Sequence, residues 1–319
     1  QICRFSNGTG GIPESRIATA ISDLNFHVAS TNLVFFQHGD IIYFDSDQYA
    51  VCTTQEATDL KQIDPVDGTI NIWLVPDLVN SCGTSSFPFS SVQGIVIDND
   101  CTATSGNHST FSHEVGHYFH LFHTHETFLG DECVDGSNCT NAGDLICDTP
   151  ADPRLSGVVN NQCQYTGTEL DACGSGDPYV PATDNMMSYS LKSCRVVFTQ
   201  EQLSMILWSA ENERADHLAI ASTGACCIGD NGDCVQIFEF QCNNGGGNWN
   251  GLGATCAQTI CGQVPCDGDV NANGVVDVGD LLMVIDQWGK TVSPADINGD
   301  GIVDVTDLLI VVGNWGPCP

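Results

Sequence analysis

Closely spaced histidines are the part of this sequence that could most plainly do chemistry. The run His113–His117 reads H-E-x-x-H. On a helix, side chains four residues apart share one face, so the imidazoles of His113 and His117 can bind one zinc ion. Glu114 follows the first ligand, and we expect it to act as general base toward a water that the zinc activates. Because so short a pattern also arises on ordinary helices, it predicts a catalytic site only if a third ligand is available.

We expect His123 to be that third ligand. A straight helix would place His120 about 10.5 Å along the axis from His113, which is too far to share an ion. His123 reaches the ion if the helix ends after His117 and the chain turns back. The alternative is a carboxylate ligand from a later helix, for which Glu201 is the candidate.

The elements that must position these residues are predicted from periodicity. Residues 12–29 are predicted to form a helix, with Pro13 in its first turn and apolar residues at helical spacing. Short β-rich runs are expected to form a twisted sheet, at 32–37, 41–44, 69–75 and 94–97. The result is an α+β fold in which a helix and a sheet precede the histidine helix.

The chain after the histidines is predicted to be irregular and then helical. Residues 124–185 are rich in Cys, Gly, Asp and Pro, and so long a stretch is ordered only by disulfides or ions. Thr199 and Gln202 have the spacing of a capping box, which predicts a closing helix that ends near Ala221.

Charge and cysteine content restrict the class of protein. Lys and Arg total 8 against 40 Asp and Glu, for a formal net charge of −32, so we expect no nucleic acid partner and no anionic membrane partner. No apolar run is long enough for membrane insertion. Eighteen cysteines, in even numbers up to Cys194, from Cys226 to Cys261 and at Cys266 with Cys318, predict pairing within each region and no free thiol. We interpret the chain as a secreted, extracellular protein whose leader has been removed, with attachment to a cell surface as an option.

Residues 263–319 contain an internal duplication of a calcium-type loop. Oxygen side chains at loop positions 1, 3, 5, 9 and 12, with Gly at position 6, are what Ca²⁺ requires. The first loop supplies Asp269, Asn271, Asn273, Asp277 and Asp280, and the second supplies Asp296, Asn298, Asp300, Asp304 and Asp307. Two such loops in register, each followed by an apolar helix, predict two calcium sites.

The duplication resembles a type I dockerin, the module by which secreted enzymes bind cohesin domains. The Asp residues at position 12 of both loops agree with that resemblance, which covers about the last fifty residues. It implies a cohesin-type partner bound through residues 263–319. Cys266 and Cys318 flank both repeats and are expected to pair.

The histidine region resembles the metzincin metalloproteases, and within them the pappalysin family. The resemblance covers about residues 12–220 and depends on the matching segments Thr110–Thr124, Gly143–Pro150, Asn185–Tyr189, Cys194 and Phe198–Gln202. It implies a metzincin-type zincin with a twisted mixed sheet, an active-site helix, a methionine turn and a C-terminal helix.

The resemblance also implies roles for further residues. Met187 would lie beneath the zinc in the methionine turn, and Tyr189 would donate a hydrogen bond to the oxyanion of the intermediate. Asp144, Asp148 and Thr149 would form a calcium-ordered loop. The alternatives are that Met187 is a core methionine, that Tyr189 is a core phenol and that the Asp144–Thr149 segment is an ordinary capped turn.

One position departs from the family pattern. His120 stands where the family has Gly, because the chain must turn sharply there in a conformation that Gly adopts without strain. A histidine in that conformation is tolerated at a cost of roughly 1–3 kcal/mol. The sequence therefore leaves open whether His123 reaches the metal.

The combined interpretation is a secreted zinc endopeptidase that acts on protein or peptide substrates. We expect a zinc metallopeptidase domain at 1–222, a Cys-rich, disulfide-stapled linker module at 223–262 and a dockerin-like module at 263–319. The alternative is a catalytically inactive, metzincin-like surface or adhesion protein whose main role is docking.

Overall fold

The computed structural model of the chain divides into two units, Gln1–Ala219 and Ile220–Pro319. It describes residues 1–218, 224–229, 233–237, 242, 245–252, 254–257, 259, 261, 267–271, 274–291 and 293–318. The expected division into three domains stays a prediction.

A mixed sheet of five strands forms the frame of the first unit. Its strands are β1 (Ile2–Arg4), β2 (Tyr43–Asp45), β4 (Ile72–Val75), β6 (Gly83–Ser85) and β7 (Ile95–Asp98). They lie in the order β2-β1-β4-β7-β6, and all neighbours are parallel except β6, the edge strand, which is antiparallel to β7. Two short parallel strands, β3 (Val51–Cys52) and β5 (Asp77–Leu78), pair outside this sheet.

The helices of the first unit complete the predicted α+β fold. They are α1 (Glu14–His27), α2 (Asp47–Ala50), α3 (Thr54–Leu60), α4 (Thr110–Tyr118) and α5 (Gln200–Asn212), with single 3₁₀ turns at Ala29–Thr31, Asn99–Cys101 and Ala215–His217. No described helix is both long enough and apolar enough to cross a membrane.

The sheet is buried on both faces. Along β4, Leu74 packs into the cluster that contains Val115 and Tyr118 of α4, whereas Trp73 and Val75 belong to a cluster on the opposite face. Successive side chains of a strand point to opposite faces, so the apolar run of β4 supplies both clusters. The histidine helix therefore rests directly on the sheet.

Two predictions of secondary structure were wrong in part. Residues 32–37 form no strand, because the side chain of Asn25 in α1 binds both the N–H of Phe35, at 2.7 Å, and its carbonyl, at 2.8 Å. These bonds use the groups that a neighbouring strand would need. The closing helix α5 ends at Asn212, well before Ala221, which lies outside the described residues.

Disulfides order the long irregular stretch, as predicted. The bridges of the first unit are Cys82–Cys101, Cys133–Cys173, Cys139–Cys147 and Cys163–Cys194. The expectation of no free thiol was wrong, since Cys3 and Cys52 are both unpaired and buried. Cys3 lies on β1 and Cys52 on β3, and both belong to the same core cluster, where a thiol packs as a small apolar side chain.

The second unit contains a disulfide-linked sheet and the duplicated loops. Its described strands β8 (Gly224–Ile228), β9 (Asp233–Ile237) and β10 (Asn248–Leu252) pair antiparallel in the order β10-β8-β9. The bridges there are Cys226–Cys242, Cys227–Cys261 and Cys234–Cys256, which confirms pairing within that region.

The two repeats pack on each other through their helices. Helices Val278–Asp286 and Val305–Gly313 share a small core that includes Val284 and Val311, and strand β11 (Val275–Val276) pairs with β12 (Gly316–Pro317). Cys318 is disulfide-bonded. Cys266, the partner expected from the sequence, lies outside the described residues.

Helix α5 provides a test of the predicted capping box. Thr199 Oγ1 accepts a hydrogen bond from Gln202 N at 3.2 Å, and Gln202 Oε1 accepts one from Thr199 N at 2.9 Å. We expect Thr199→Ala to destabilise the first unit by about 1 kcal/mol, because it leaves the N–H of Gln202 without its acceptor. Calorimetry should show a lower Tm for that transition, while Thr199→Ser should restore it. Equal Tm values for the Ala and Ser variants would contradict the capping role.

Candidate functional site

Helix α4 carries the first two histidines on one face. Asn107 Oδ1 accepts a hydrogen bond from Thr110 N at 3.3 Å where the helix begins, and every residue from Thr110 to Tyr118 is buried. The rings of His113 and His117 lie with their centroids 4.8 Å apart. The predicted i, i+4 pair is therefore formed.

His123 completes a cluster of three histidines, as the sequence predicts. One nitrogen from each ring of His113, His117 and His123 lies within 4.8 Å of the other two, and the two Nε2 atoms of His117 and His123 are 3.0 Å apart. The alternative ligand Glu201 is elsewhere, since its carboxylate accepts a hydrogen bond from Cys147 N at 2.7 Å.

Backbone carbonyls set the orientation of the two helical imidazoles. His113 Nδ1 donates to Met186 O at 2.8 Å, and His117 Nδ1 donates to Leu121 O at 2.7 Å. A carbonyl only accepts, so in each ring Nδ1 carries the hydrogen and Nε2 keeps its lone pair for a metal.

Burial keeps these imidazoles neutral, as metal ligation requires. It lowers the pKa of His117 to about 4, and it is also the first cause of the lowered pKa values of His113 and His123. Ligands of one tetrahedral zinc lie roughly 3.4 Å apart, which follows from Zn–N distances near 2.1 Å. Three neutral imidazoles at the spacing found here are therefore a suitable donor set for zinc.

The reversal that brings His123 back is a Schellman turn centred on His120. Leu121 N donates to Gly116 O at 3.0 Å and His120 N donates to His117 O at 3.1 Å, while His120 has φ = 76°. This is the left-handed position that Gly usually occupies after a helix. The expected departure from the family pattern is therefore present, and the turn is nevertheless made.

The side chain of His120 has a partner of its own. Its Nδ1 lies 2.9 Å from both carboxylate oxygens of Glu213, next to the end of α5, and its ring contacts Phe89 and Phe122 edge-on. These contacts offset part of the strain of the left-handed backbone.

Glu114 lies between the histidines and the edge strand. A Cβ on Gly83 of β6 would come within 2.6 Å of its carboxyl group, so only glycine allows this close approach. Burial raises the pKa of the Glu114 carboxyl to about 7, opposed by the nearby charges of Arg195 and Lys61. A carboxyl group with a pKa in this range is suited to general acid–base chemistry.

Met187 lies beneath the histidine helix. A Cβ at Gly116 would come within 2.6 Å of its sulfur, which places the thioether under the helical turn between His113 and His117. The sequence missed the support for this methionine turn. The side chains of Asn185 and Gln202 exchange two hydrogen bonds, at 3.0 and 3.2 Å, that attach the turn to α5.

Tyr189 lies against the third histidine. Its ring centroid is 4.5 Å from that of His123, and the guanidinium of Arg154 lies over its ring, 5.4 Å from the centroid. Burial raises the pKa of the Tyr189 phenol, so it stays protonated and can donate a hydrogen bond. Its role toward an oxyanion stays a prediction.

The expected calcium loop in the first unit is only partly assembled. Asp144 is buried, and Thr149 Oγ1 lies 2.9 and 3.0 Å from its two oxygens and 2.6 Å from Ile146 O, so its single hydrogen is shared among these acceptors. Burial raises the pKa of Asp144 to about 7. Asp148 instead accepts from Glu201 N at 2.9 Å, so it faces the start of α5. Within the described residues, the histidines form the cluster of His, Cys and acidic groups that could hold a metal.

The duplicated loops of the second unit have matching hydrogen bonds. Asp280 and Asp307 are fully buried, and each accepts backbone hydrogen bonds from residues of its own loop, such as Asn271 and Asn298. In the second loop Asp296 Oδ1 is buried without a hydrogen-bond partner. Asn273 of the first loop lies outside the described residues. An unpartnered carboxylate oxygen inside the loop is consistent with a bound cation.

Comparison with known proteins agrees with this geometry. Residues 74–208 match the Peptidase M43 family, described as pregnancy-associated plasma protein-A, and residues 267–314 match the dockerin type I domain. An extracellular metalloprotease of Arthroderma benhamiae is 27% identical over 226 residues, which cover 66% of this chain and 76% of that protein. One from Colletotrichum graminicola is 32% identical over 148 residues, which cover 42% of this chain and 46% of the relative.

The fold has a counterpart among solved structures. Mirolysin in complex with a compound superposes with a TM-score of 0.50 at 19% identity, covering 68% of this chain and 93% of mirolysin. At that identity the likeness concerns the fold alone.

The family match and the extracellular metalloproteases among the relatives identify a metalloprotease, and the histidine cluster suits that class. Within that class, residues 74–208 match a Peptidase M43, or pappalysin-type, domain, and residues 267–314 match a type I dockerin domain.

The left-handed turn at His120 gives a second test. Both His120→Ala and His120→Gly lose the contact with Glu213. The Ala variant keeps the strain of a side chain at positive φ, whereas the Gly variant removes it. We therefore expect the Gly variant to be more stable than the Ala variant by about 1–2 kcal/mol, measured as the free energy of unfolding. Equal stabilities of the two variants would show that the turn is not strained.

Proposed function

We propose that this chain is a secreted zinc endopeptidase, with His113, His117 and His123 as the zinc ligands and Glu114 as general base. The observation that carries the proposal is the convergence of three neutral imidazoles beside a buried carboxyl group with a raised pKa, next to an open sheet edge. The relatives named extracellular metalloproteases support secretion.

The substrate is a polypeptide in extended conformation along strand β6. The outer edge of β6 offers backbone N–H and C=O groups that can pair with a peptide. Zinc, when bound, polarises the scissile carbonyl and lowers the pKa of a water. Glu114 accepts the proton of the attacking water and delivers it to the leaving amine. The Tyr189 hydroxyl donates a hydrogen bond to the oxygen that gains negative charge.

The non-catalytic alternative loses its main support. It depended on His120 disturbing the turn that brings His123 to the cluster. Because the turn is formed and His120 pairs with Glu213, the departure from the family pattern does not exclude catalysis.

We also propose that residues 263–319 form a calcium-dependent module that binds a cohesin-type partner. Apolar side chains about half exposed recur at equivalent positions of the two repeats, at Val278, Leu282, Ile285 and Trp288 and at Val305, Leu309, Val312 and Trp315. The first three residues of each set are spaced along one helix face and the tryptophan follows just after the helix ends, and such an exposed apolar set is typical of a protein-binding surface. The proposed domain limits are 1–222 for the peptidase, 223–262 for the linker module and 263–319 for the dockerin.

Catalysis is tested by zinc content together with cleavage of casein. We expect the wild type to bind zinc and to lose activity in chelator. Glu114→Gln should retain zinc but lose about 10²–10⁴-fold in rate, because the proton acceptor is gone. Glu211→Gln, which makes the same change at an exposed carboxylate of α5 that does not line the cleft, is the control and should retain full activity. A zinc-loaded wild type that cuts nothing, or a Glu114→Gln variant that cuts equally well, would refute the peptidase proposal.

Calcium dependence is tested by circular dichroism and by thermal unfolding of the full chain. Chelation should lower the helical signal and the Tm of the second unit, because the carboxylates of each loop then repel one another. Asp280→Ala with Asp307→Ala should reproduce that loss with calcium present. Spectra that do not change between calcium and chelator would rule out calcium-dependent folding.

A further inference from the structure

Two basic residues line the cleft beside the histidine cluster. This cleft has a volume of about 900 Å³ and is bordered by β6, by α4 and by the segment after the methionine turn, which contributes Lys192 and Arg195. The chain has 8 basic residues against 40 acidic ones. Finding two of those eight on one wall of the cleft calls for a physical reason.

Within the described residues, neither of these cations forms an ion pair with a carboxylate, although the charge of Glu114 acts on Arg195 and that of Asp98 acts on Lys192. Lys192 Nζ contacts Cys82 Sγ and lies 3.2 Å from Cys101 Sγ, the two sulfurs of one disulfide. Arg195 is buried and donates to Ser109 Oγ at 3.2 Å and to Ser188 O at 3.3 Å. The ion pairs among the described residues are Arg4–Asp45, His108–Asp23, His120–Glu213 and His217–Asp216.

An unpaired cation in a partly buried site carries a desolvation cost that an incoming anion relieves. Guanidinium and ammonium groups prefer carboxylate acceptors, and charge-assisted hydrogen bonds are about twice as strong as neutral ones. Because a peptidase cleft receives peptide side chains, the matching anion is the carboxylate of Asp or Glu in the substrate.

The direction of the edge strand indicates where in the substrate this side chain lies. A peptide that pairs antiparallel with β6 runs from the Ser85 end toward the Gly83 end. Glu114 abuts Gly83, which marks the scissile bond, and Lys192 lies just beyond, at Cys82. The residue that follows the cut bond is therefore the one that faces Lys192.

We infer that Lys192, with Arg195 behind it, selects an acidic side chain at the residue following the scissile bond. This inference deepens the proposed peptidase function and depends on it. Arg195 is buried and also lies 3.2 Å from Nδ1 of His113, so it is kept unchanged and Lys192 is the residue to vary.

The test uses fluorogenic peptides that differ only in the residue after the cut, which is Glu, Gln or Lys. With the full wild-type chain we expect kcat/KM for Glu to exceed that for Gln by about tenfold, as a charge-assisted hydrogen bond provides. Lys192→Gln should reduce the ratio to near one, Lys192→Arg should retain it, and Lys192→Glu should shift the preference to Lys. Lys290→Gln removes the same charge outside the cleft and should leave the ratio unchanged.

A binding measurement separates this inference from the proposed function. Fluorescence anisotropy of the same peptides with zinc-loaded Glu114→Gln should show tighter binding of the Glu peptide, and Lys192→Gln added to that variant should abolish the difference. Zinc-dependent cleavage with equal rates for Glu and Gln would overturn the inference and leave the peptidase function intact. If the wild type cuts no peptide, the proposed peptidase function fails. Equal binding of the Glu and Gln peptides to zinc-loaded Glu114→Gln would overturn the inferred preference for an acidic side chain, whatever the cleavage result.

Discussion

The left-handed backbone turn at His120 is the constraint on which the candidate site depends. The straight helix presents only two of these histidines to one ion, and His123 joins them only because the chain reverses directly after the helix. The Schellman hydrogen bonds to Gly116 and His117 make that reversal, and they also place the Leu121 carbonyl against the His117 ring. One turn thus ends the helix, orients the imidazole of His117 and brings His123 to the cluster.

Long-range hydrogen bonds hold the rest of the site in place. Met186 O orients His113 from the methionine turn, and that turn is tied to α5 by the paired amides of Asn185 and Gln202. The end of α5 contacts the turn after α4 through Glu213 and His120. These contacts connect α4, the methionine turn and α5, which are far apart in sequence. The geometry of the histidine cluster therefore depends on all three segments.

Local signals in the sequence predicted local structure well and failed where distant partners intervened. The capping box at Thr199 formed as expected because both of its groups lie within one helical turn. The strand expected at 32–37 did not form, because Asn25 binds the backbone groups that a strand would need. Even cysteine counts predicted pairing within regions but could not show that Cys3 and Cys52 are buried apart from any bridge.

The sequence by itself predicted which histidines would lie together, since the H-E-x-x-H spacing and the nearby third histidine are local patterns with a geometric meaning. It also predicted the duplicated loops, whose oxygen-bearing side chains are close together in the sequence. Only the tertiary structure decided that the turn at His120 is made, that Asp148 faces α5 and that Lys192 lies at the end of the edge strand. Those outcomes depend on contacts between distant segments, which residue spacing does not record.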